Sequence, residues 1–274
     1  MKRAFLDTPD GQIHYRMDGK GEPPFVLLHG TPRSSFEYHK MIPILAQKRR
    51  VIAMDTIGYG DSDKLPESKW YTIEDYAGTV VKLLDFLRME KAVIVGCHSG
   101  SKMAIEVAAA YPERPDKLVL MGPYFWEEAK WWSDRGLLLA DMWKEPELKE
   151  DGSHLVDLWH QRALGMELTD LRIKQRLFLD ILRAEGMSHR GHWASANYAQ
   201  EKRLPLIKCP TLVIWGSEDI RLHSEIGFHR RNLAESIPRC KVAEIQGGAF
   251  TISLQMPEEV SRLILEFLGD SNGE

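Results

Sequence analysis

The sequence has few cysteines, no long apolar stretch and no excess of positive charge. Its three cysteines are odd in number and lack CxxC spacing, which argues against a disulfide framework or a zinc site and predicts reduced thiols in the cytoplasm. The longest uninterrupted apolar runs span only a few residues, far below the roughly 20 residues that cross a bilayer. With 36 basic and 40 acidic residues the formal charge is −4, so nothing in the composition points to nucleic acid or to an anionic membrane as a partner.

Residues 1–11 contain no apolar segment of the kind found in signal peptides, so we expect no secretory leader. Hydrophobic residues make up 43% of the chain and charged residues 28%, which is typical of a globular protein with a full core. A length of 274 residues fits one large α/β domain, or a core with a modest insertion. The expected partner is therefore a small molecule. Whether the chain also pairs with a second copy of itself in a homodimer is left open by the sequence.

Short apolar runs that end near glycine alternate with helical patterns through the first half of the chain. This alternation predicts an open, mostly parallel sheet with helices on both faces. Thr72 and Asp75 have the spacing of a capping box, which marks the start of one of the helices. The predicted strands cover residues 25–28, 50–55 and 91–95, and the predicted helices cover residues 35–47 and 72–89.

The alternation stops between residues 123 and 205, where strand patterns are missing and helical spacing prevails. This stretch also contains six of the eight tryptophans. Strand patterns return at residues 210–215 and 241–245. The sequence therefore predicts an α/β core formed by residues 1–122 and 206–274, with residues 123–205 inserted as a helical cap.

Four turns at the predicted carboxyl ends of strands contain the candidate functional residues, because ligands bind at that edge of an open α/β sheet. The turns are His29-Gly-Thr-Pro32, Asp55-Thr-Ile-Gly-Tyr-Gly-Asp-Ser62, Gly96-Cys-His-Ser-Gly100 and Trp215-Gly-Ser-Glu-Asp219. In this order they resemble the α/β-hydrolase superfamily, in its capped esterase-like and dehalogenase-like branch, over nearly the whole core. The resemblance implies the α/β-hydrolase fold, with a mostly parallel eight-stranded sheet and an active site between core and cap.

The resemblance also implies a nucleophile at the centre of a small-x-nucleophile-x-small elbow. The frame from Gly96 to Gly100 puts His98 there, and histidine is among the residues that tolerate the positive φ of such a bend. A frame shifted by one residue centres Ser99 instead, and that alternative stays open. Neither frame supplies the aspartate of a dehalogenase.

The family's catalytic histidine lies seven residues before the proline that opens the last helix, and here Phe250 occupies that position. Phenylalanine cannot transfer a proton, so the Ser-His-Asp relay is incomplete. Asp219 matches the family's acid. The resemblance further implies an oxyanion hole formed by the main-chain N–H groups of Thr31 and Ser99.

We therefore expect a His98–Asp219 acid-base pair that acts, without cofactor or metal, on a small apolar or aromatic carbonyl compound. The reaction would be of lyase, isomerase or cyclase type, or an atypical hydrolysis. One alternative is a conventional hydrolase in which Ser99 is the nucleophile and a cap residue such as His160 or His192 is the base. Another is an inactive, ligand-binding relative. The residues expected to line the substrate pocket are His29, Trp126, Trp131, Trp159 and Trp193.

Overall fold

The computed structural model describes residues 1–123, 144–162, 170–219 and 230–270. Its centre is an eight-stranded sheet with the order β1-β2-β4-β3-β5-β6-β7-β8. The pairs β1–β2 and β2–β4 are antiparallel. The five other neighbouring pairs of the sheet, from β4–β3 to β7–β8, are parallel. The predicted mostly parallel eight-stranded sheet is thus confirmed. The strands are β1 (Lys2–Thr8), β2 (Gly11–Asp18), β3 (Phe25–Leu28), β4 (Val51–Met54), β5 (Ala92–Cys97), β6 (Pro115–Met121), β7 (Thr211–Gly216) and β8 (Cys240–Ile245).

The central strands are apolar along their whole length because both faces of the sheet are covered. Successive side chains of a strand point to opposite faces. In β3, Phe25 and Leu27 belong to one apolar cluster, whereas Val26 and Leu28 belong to another. All four are fully buried.

One of the helices beside the sheet begins at the capping box that the sequence predicts. Thr72 accepts the N–H of Asp75 at 3.2 Å, and the Asp75 carboxylate accepts the N–H of Thr72 at 2.9 Å, so the predicted capping box is confirmed. The helices are α1 (Ile42–Leu45), α2 (Ile73–Phe86), α3 (Ser99–Ala110), α4 (Ser153–Arg162), α5 (Leu171–Arg183), α6 (Met187–Ala196), α7 (Gln200–Arg203), α8 (Arg230–Glu235), α9 (Ile252–Gln255) and α10 (Pro257–Leu268).

The single helix predicted over residues 35–47 is wrong. The structure has a 3₁₀ turn (Ser35–Tyr38) followed by the short helix α1. Pro43 lies in the first turn of α1, where its missing N–H is tolerated. A continuous helix from Ser35 would place Pro43 in the helix interior, and a hydrogen bond would be lost there.

Between β6 and β7 the described residues form helices α4 to α7, which we call the helical segment. It packs against the turn after β4 and against helix α3. The Tyr59 hydroxyl donates to the carbonyl of Met187 at 2.9 Å, and the Lys102 ammonium donates to the carbonyl of Ser195 at 2.7 Å. Across the described ranges, no helix is both long and apolar enough to span a membrane.

A buried carboxylate fixes the turn that follows β4. Asp55 accepts a hydrogen bond from Nδ1 of His14 at 2.8 Å and others from the N–H groups of Ser35 and Asp61. Burial alone would raise the pKa of Asp55, but these hydrogen bonds outweigh it and hold the pKa below its ordinary value. The carboxylate form therefore links this turn both to β2 and to the loop after β3.

We predict that Asp55→Asn lowers the free energy of unfolding at pH 7 by about 2–3 kcal/mol, since a carboxamide cannot accept all these hydrogen bonds. The depressed pKa makes the contribution of Asp55 full above about pH 4, and it is lost as the pH falls through the folded-state pKa. Urea unfolding at pH 7, 5 and 3 measures this, and the difference between wild type and variant should shrink at pH 3. The control Asp7→Asn, at an exposed carboxylate of β1, should change stability by less than about 0.5 kcal/mol. Equal losses in the two variants would contradict the assignment.

Candidate active site

The chain bends sharply between β5 and α3, and the bend falls at His98. This residue has φ 53° and ψ −114°. β5 ends at Cys97 and α3 begins at Ser99, so Ser99 is the first helical residue and His98 stands at the tip. A positive φ in a residue other than glycine is uncommon and concentrates at functional positions.

Glycines make the bend possible because the elbow backbone touches its neighbours. A Cβ at Gly100 would lie 2.1 Å from the carbonyl oxygen of Leu28, and one at Gly96 would lie 2.3 Å from the carbonyl oxygen of Gly100. A Cβ at Gly30 would lie 3.2 Å from the Cβ of His98. The strand, the bend and the helix can pack this closely only if these positions have no side chain.

The imidazole of His98 is 6% exposed and lies between two main-chain carbonyls. Its Nδ1 is 3.2 Å from the oxygen of Gly122, and its Nε2 is 2.9 Å from the oxygen of Phe250. Both oxygens are hydrogen-bond acceptors. A ring with a proton on each nitrogen donates to both, whereas a neutral ring leaves one lone pair facing an oxygen.

Phe250 lies directly against the elbow. Its ring stacks on that of His98, with the centroids 4.3 Å apart and the planes inclined by 16°. The guanidinium carbon of Arg33 lies 4.8 Å from the centroid of the Phe250 ring. The side chains at positions 98 and 250 are therefore in contact, although a phenyl ring stands where the resemblance calls for an imidazole.

Asp219 follows β7 and is 2% exposed. The turn that contains it packs on the turn after β8, since the N–H of Glu218 donates to the carbonyl of Gly248 at 2.8 Å. Asp219 and Phe250 thus lie on adjoining turns. Two hydrogen bonds of the His98 ring involve the carbonyls of Gly122 and Phe250.

Thr31 and Ser99, the two residues expected to form the oxyanion hole, are in contact. The N–H of Thr31 donates to the hydroxyl oxygen of Ser99 at 2.6 Å. The Ser99 hydroxyl therefore occupies the acceptor position of this amide. An oxyanion bound there would replace the hydroxyl, whose side chain can rotate away.

The other predicted pocket residues make contacts within the protein. His29 is fully buried, with Nδ1 3.0 Å from the carbonyl of Gly30 and Nε2 accepting the N–H of Thr56 at 3.1 Å, which is a structural arrangement. Trp159 packs edge-on against Phe178, and Trp193 packs edge-on against Trp70. The predicted pocket residues Trp126 and Trp131 lie outside the described residues.

The two cap histidines considered as replacement bases differ in their surroundings. His160 is exposed near the end of α4. His192 lies on α6, and its Nδ1 is 2.7 Å from the carbonyl of Ser188. Loss of hydration lowers the pKa of His192 to about 3, so this ring is neutral at physiological pH.

One buried acid beside the loop after β3 was not predicted from the sequence. Asp180 of α5 is fully buried and accepts hydrogen bonds from the hydroxyl of Ser34 at 2.8 Å and from Arg176 at 2.5 Å. Burial raises the pKa of this carboxyl and outweighs the Arg176 charge. The sequence pattern that could have indicated it is an aspartate four residues after an arginine on one helix face. Leu177 lies on the same face and packs near Phe250.

Among the residues that the structure describes, two groups of side chains have potential metal-ligand atoms within 4.8 Å of one another: the buried Glu37, Cys97 and His98, and His14 and Asp55 with the partly exposed Asp61. Glu37 accepts the N–H of Gly30 at 2.8 Å and forms a buried ion pair with Arg33. The guanidinium already neutralises this carboxylate. The second group contains the Asp55 network described above. Both donor sets thus have structural partners within the chain.

The fold and the elbow define the class of protein. Residues 23–253 match the family model of the alpha/beta hydrolase fold. This match covers well over half of the chain, so the chain belongs to the α/β-hydrolase-fold family.

Relatives match along nearly the whole chain. Haloalkane dehalogenase 2 of Mycobacterium tuberculosis is 25% identical over 280 residues, which cover 97% of this chain and 94% of the relative. The 2-hydroxy-6-oxononadienedioate/2-hydroxy-6-oxononatrienedioate hydrolase 2 of Pseudomonas putida is 28% identical over 278 residues, covering 94% and 92%. A thermophilic esterase from Thermogutta terrifontis, solved with malate bound, superposes with a TM-score of 0.79 at 21% identity over 98% of both chains. This structural likeness supports the fold.

Proposed function

We propose that this chain is an enzyme that transfers protons at the His98 imidazole and acts, without a cofactor, on a small carbonyl compound. The observation that carries the proposal is the position of His98 at the bend after β5, with φ 53°. In the family this bend presents the reacting group to the substrate. A histidine there supplies acid-base chemistry rather than an attacking hydroxyl.

Asp219 is proposed as the partner of the imidazole. Its turn adjoins that of Phe250, and the Phe250 ring is in contact with His98. In the proposed pair the Asp219 carboxylate accepts a hydrogen bond from one nitrogen of the imidazole. A carboxylate on one ring nitrogen increases the basicity of the other, which then faces the substrate.

The oxyanion hole is proposed to stabilise the developing charge. When an imidazole nitrogen removes a proton next to a carbonyl, the electron pair moves onto the carbonyl oxygen. The N–H groups of Thr31 and Ser99 would donate to that oxygen once the Ser99 hydroxyl has moved aside. This chemistry suits proton abstraction, elimination or cyclisation, and it needs no acyl-enzyme.

The helical segment is proposed to act as the cap over this site and to make it selective for apolar or aromatic substrates. The aromatic rings of Trp159, Phe178 and Trp193 in this segment support that preference. The relatives named above include a 2-hydroxy-6-oxononadienedioate/2-hydroxy-6-oxononatrienedioate hydrolase and a haloalkane dehalogenase, which supports a small-molecule substrate. None of the three cysteines forms a disulfide, and this fits the cytoplasmic setting expected from the sequence.

We predict that His98→Gln and His98→Ala each slow enzyme-catalysed proton exchange by about 10²-fold, because one positioned base contributes roughly that much or more. The measurement is deuterium uptake at the α-carbons of a panel of aryl ketones in D2O, followed by NMR and corrected for the buffer rate. Glutamine retains a hydrogen-bonding side chain of similar length but cannot take the proton. It therefore separates proton transfer from positioning.

The matched control is His154→Gln, at a histidine of α4 whose ring accepts the N–H of Lys149. It should leave the exchange rate unchanged. Exchange that is equally fast in all three variants would contradict the proposal. A ketone that raises the melting temperature without any exchange above the buffer rate would instead identify a ligand-binding relative.

A further inference from the structure

The loop after β3 contains an arginine with an unsatisfied nitrogen. Arg33 is 4% exposed, and its Nη1 forms the buried ion pair with Glu37 described above. Its Nη2 is buried as well, and no acceptor in the described part of the chain lies within hydrogen-bond distance of it. A buried donor without a partner is costly and rare in native proteins. Such a donor indicates a position at which an acceptor from outside the chain can bind.

Arg33 lies beside the groups of the proposed active site. Its guanidinium carbon is 4.8 Å from the centroid of the Phe250 ring, which stacks on the ring of His98. Thr31, whose N–H belongs to the proposed oxyanion hole, is two residues earlier in the same loop. Both Thr31 and Phe250 are partly exposed. A ligand that binds against the Phe250 ring therefore comes close to the guanidinium.

Hydrogen bonds hold the main chain around Arg33 in place. The N–H of Arg33 donates to the carbonyl of Gly30 at 2.7 Å, and the N–H of Gly30 donates to the Glu37 carboxylate at 2.8 Å. The hydroxyl of Ser34 donates to Asp180 of α5 at 2.8 Å. The arginine is thus ordered before any ligand arrives, so binding does not have to restrict its side chain further.

The chemistry of the guanidinium selects the kind of acceptor. Each of its terminal nitrogens carries two N–H donors and no acceptor. A carboxylate is the partner with which these donors form their strongest hydrogen bonds. Glu37 and Asp180, two acids that contact this loop, each have an arginine partner, Arg33 and Arg176. The charges of these two acids are thus compensated within the chain, and Nη2 of Arg33 remains for the carboxylate of a ligand.

We infer that Arg33 determines specificity by binding the carboxylate of a small oxo acid, a molecule that carries both a ketone carbonyl and a carboxylate. The placement of the ketone rests on the proposed function, since its oxygen is assigned to the N–H groups of Thr31 and Ser99. The inference adds a negatively charged group to the substrate and assigns a residue to that group. Because Nη2 is enclosed in the unliganded chain, the side chains around it shift as the ligand enters.

The test is calorimetric titration of the chain with three aryl oxo acids, benzoylformate, phenylpyruvate and benzoylpropionate, each compared with its own carboxamide. We expect at least one acid to bind about 10- to 100-fold more tightly than its amide, because a hydrogen bond between two charged groups is the stronger one. Arg33→Met combined with Glu37→Gln removes both members of the ion pair and should abolish this preference. The matched control, Arg262→Met with Glu259→Gln, removes an exposed ion pair of α10 and should retain it.

Circular dichroism shows whether the double variant at positions 33 and 37 is folded. If it is not, Arg33→Lys replaces it, because lysine keeps a cation beside Glu37 without a second nitrogen, and the preference should fall by about 10-fold. The inference is overturned if no acid binds the unaltered chain more tightly than its amide, or if the preference persists in the folded variant. A preference for acids without proton exchange would contradict the proposed function alone, and exchange without this preference would contradict the inference alone.

Discussion

Replacing His98 by serine and Phe250 by histidine in one chain should raise the rate of p-nitrophenyl acetate hydrolysis by about 10³-fold over that of the unaltered chain, because with the proposed roles of these positions and of Asp219 it assembles a Ser-His-Asp relay. The stacked rings, 4.3 Å apart, show that side chains at these two positions meet. The turn that contains Asp219 is hydrogen-bonded to the turn before position 250. The bend at position 98 already has the positive φ that presents a nucleophile.

The single variants are the controls for this experiment. His98→Ser alone has no base at position 250, and Phe250→His alone has no hydroxyl at the tip of the bend. Each should give less than a tenth of the gain of the double variant, since the members of a relay act as a unit. A phosphonate label on the introduced serine would locate the activity. A gain of the same size in either single variant would show that positions 98 and 250 do not act together.

Gly100→Ala should abolish stable folding, or lower the free energy of unfolding by more than about 3 kcal/mol. The added methyl group would lie 2.1 Å from the carbonyl oxygen of Leu28. That oxygen belongs to the main chain of a central strand, which cannot move aside as a flexible side chain can. The elbow would have to separate from β3, and packing on both sides of the sheet would be lost.

Gly78→Ala is the matched control, because Gly78 lies within α2 and a Cβ there would meet no atom within 4 Å. That change should stabilise the protein by about 0.5–1 kcal/mol, since alanine is the better helix former. Thermal and urea unfolding of both variants measure the contrast. A Gly100→Ala protein with the melting temperature of wild type would show that the elbow does not need the close approach to β3.

Features set by neighbouring residues could be predicted from the sequence. The apolar run of β3 and the capping box of α2 depend on short-range periodicity and on hydrogen bonds within one turn. The prediction of one helix across Pro43 was wrong, because it considered apolar spacing alone and not the effect of the proline. The structure has a 3₁₀ turn and the short helix α1 instead. The broad α/β architecture followed from the alternation of patterns, which a local error of this kind does not disturb.

The site was less accessible to sequence reasoning because its contacts join distant parts of the chain. Glycine spacing indicated a bend at His98. The carbonyls of Gly122 and Phe250 that hold its ring lie far along the sequence, and no local pattern indicates them. Asp180 was missed for the same reason, since only the packing of α5 against the loop after β3 brings it to Ser34. The contact of the Ser99 hydroxyl with the Thr31 amide likewise depends on tertiary structure.

The phenyl ring at position 250 has a consequence for how the site responds to acid. An imidazole at position 250 would gain or lose a proton over the physiological pH range, and its contact with the elbow would change with its charge. Phe250 has no ionisable group, so its stacking on His98 involves no proton of its own. The turn after β8 therefore presents an uncharged ring to the elbow, and this surface of the site keeps the same charge at every pH at which the chain is folded.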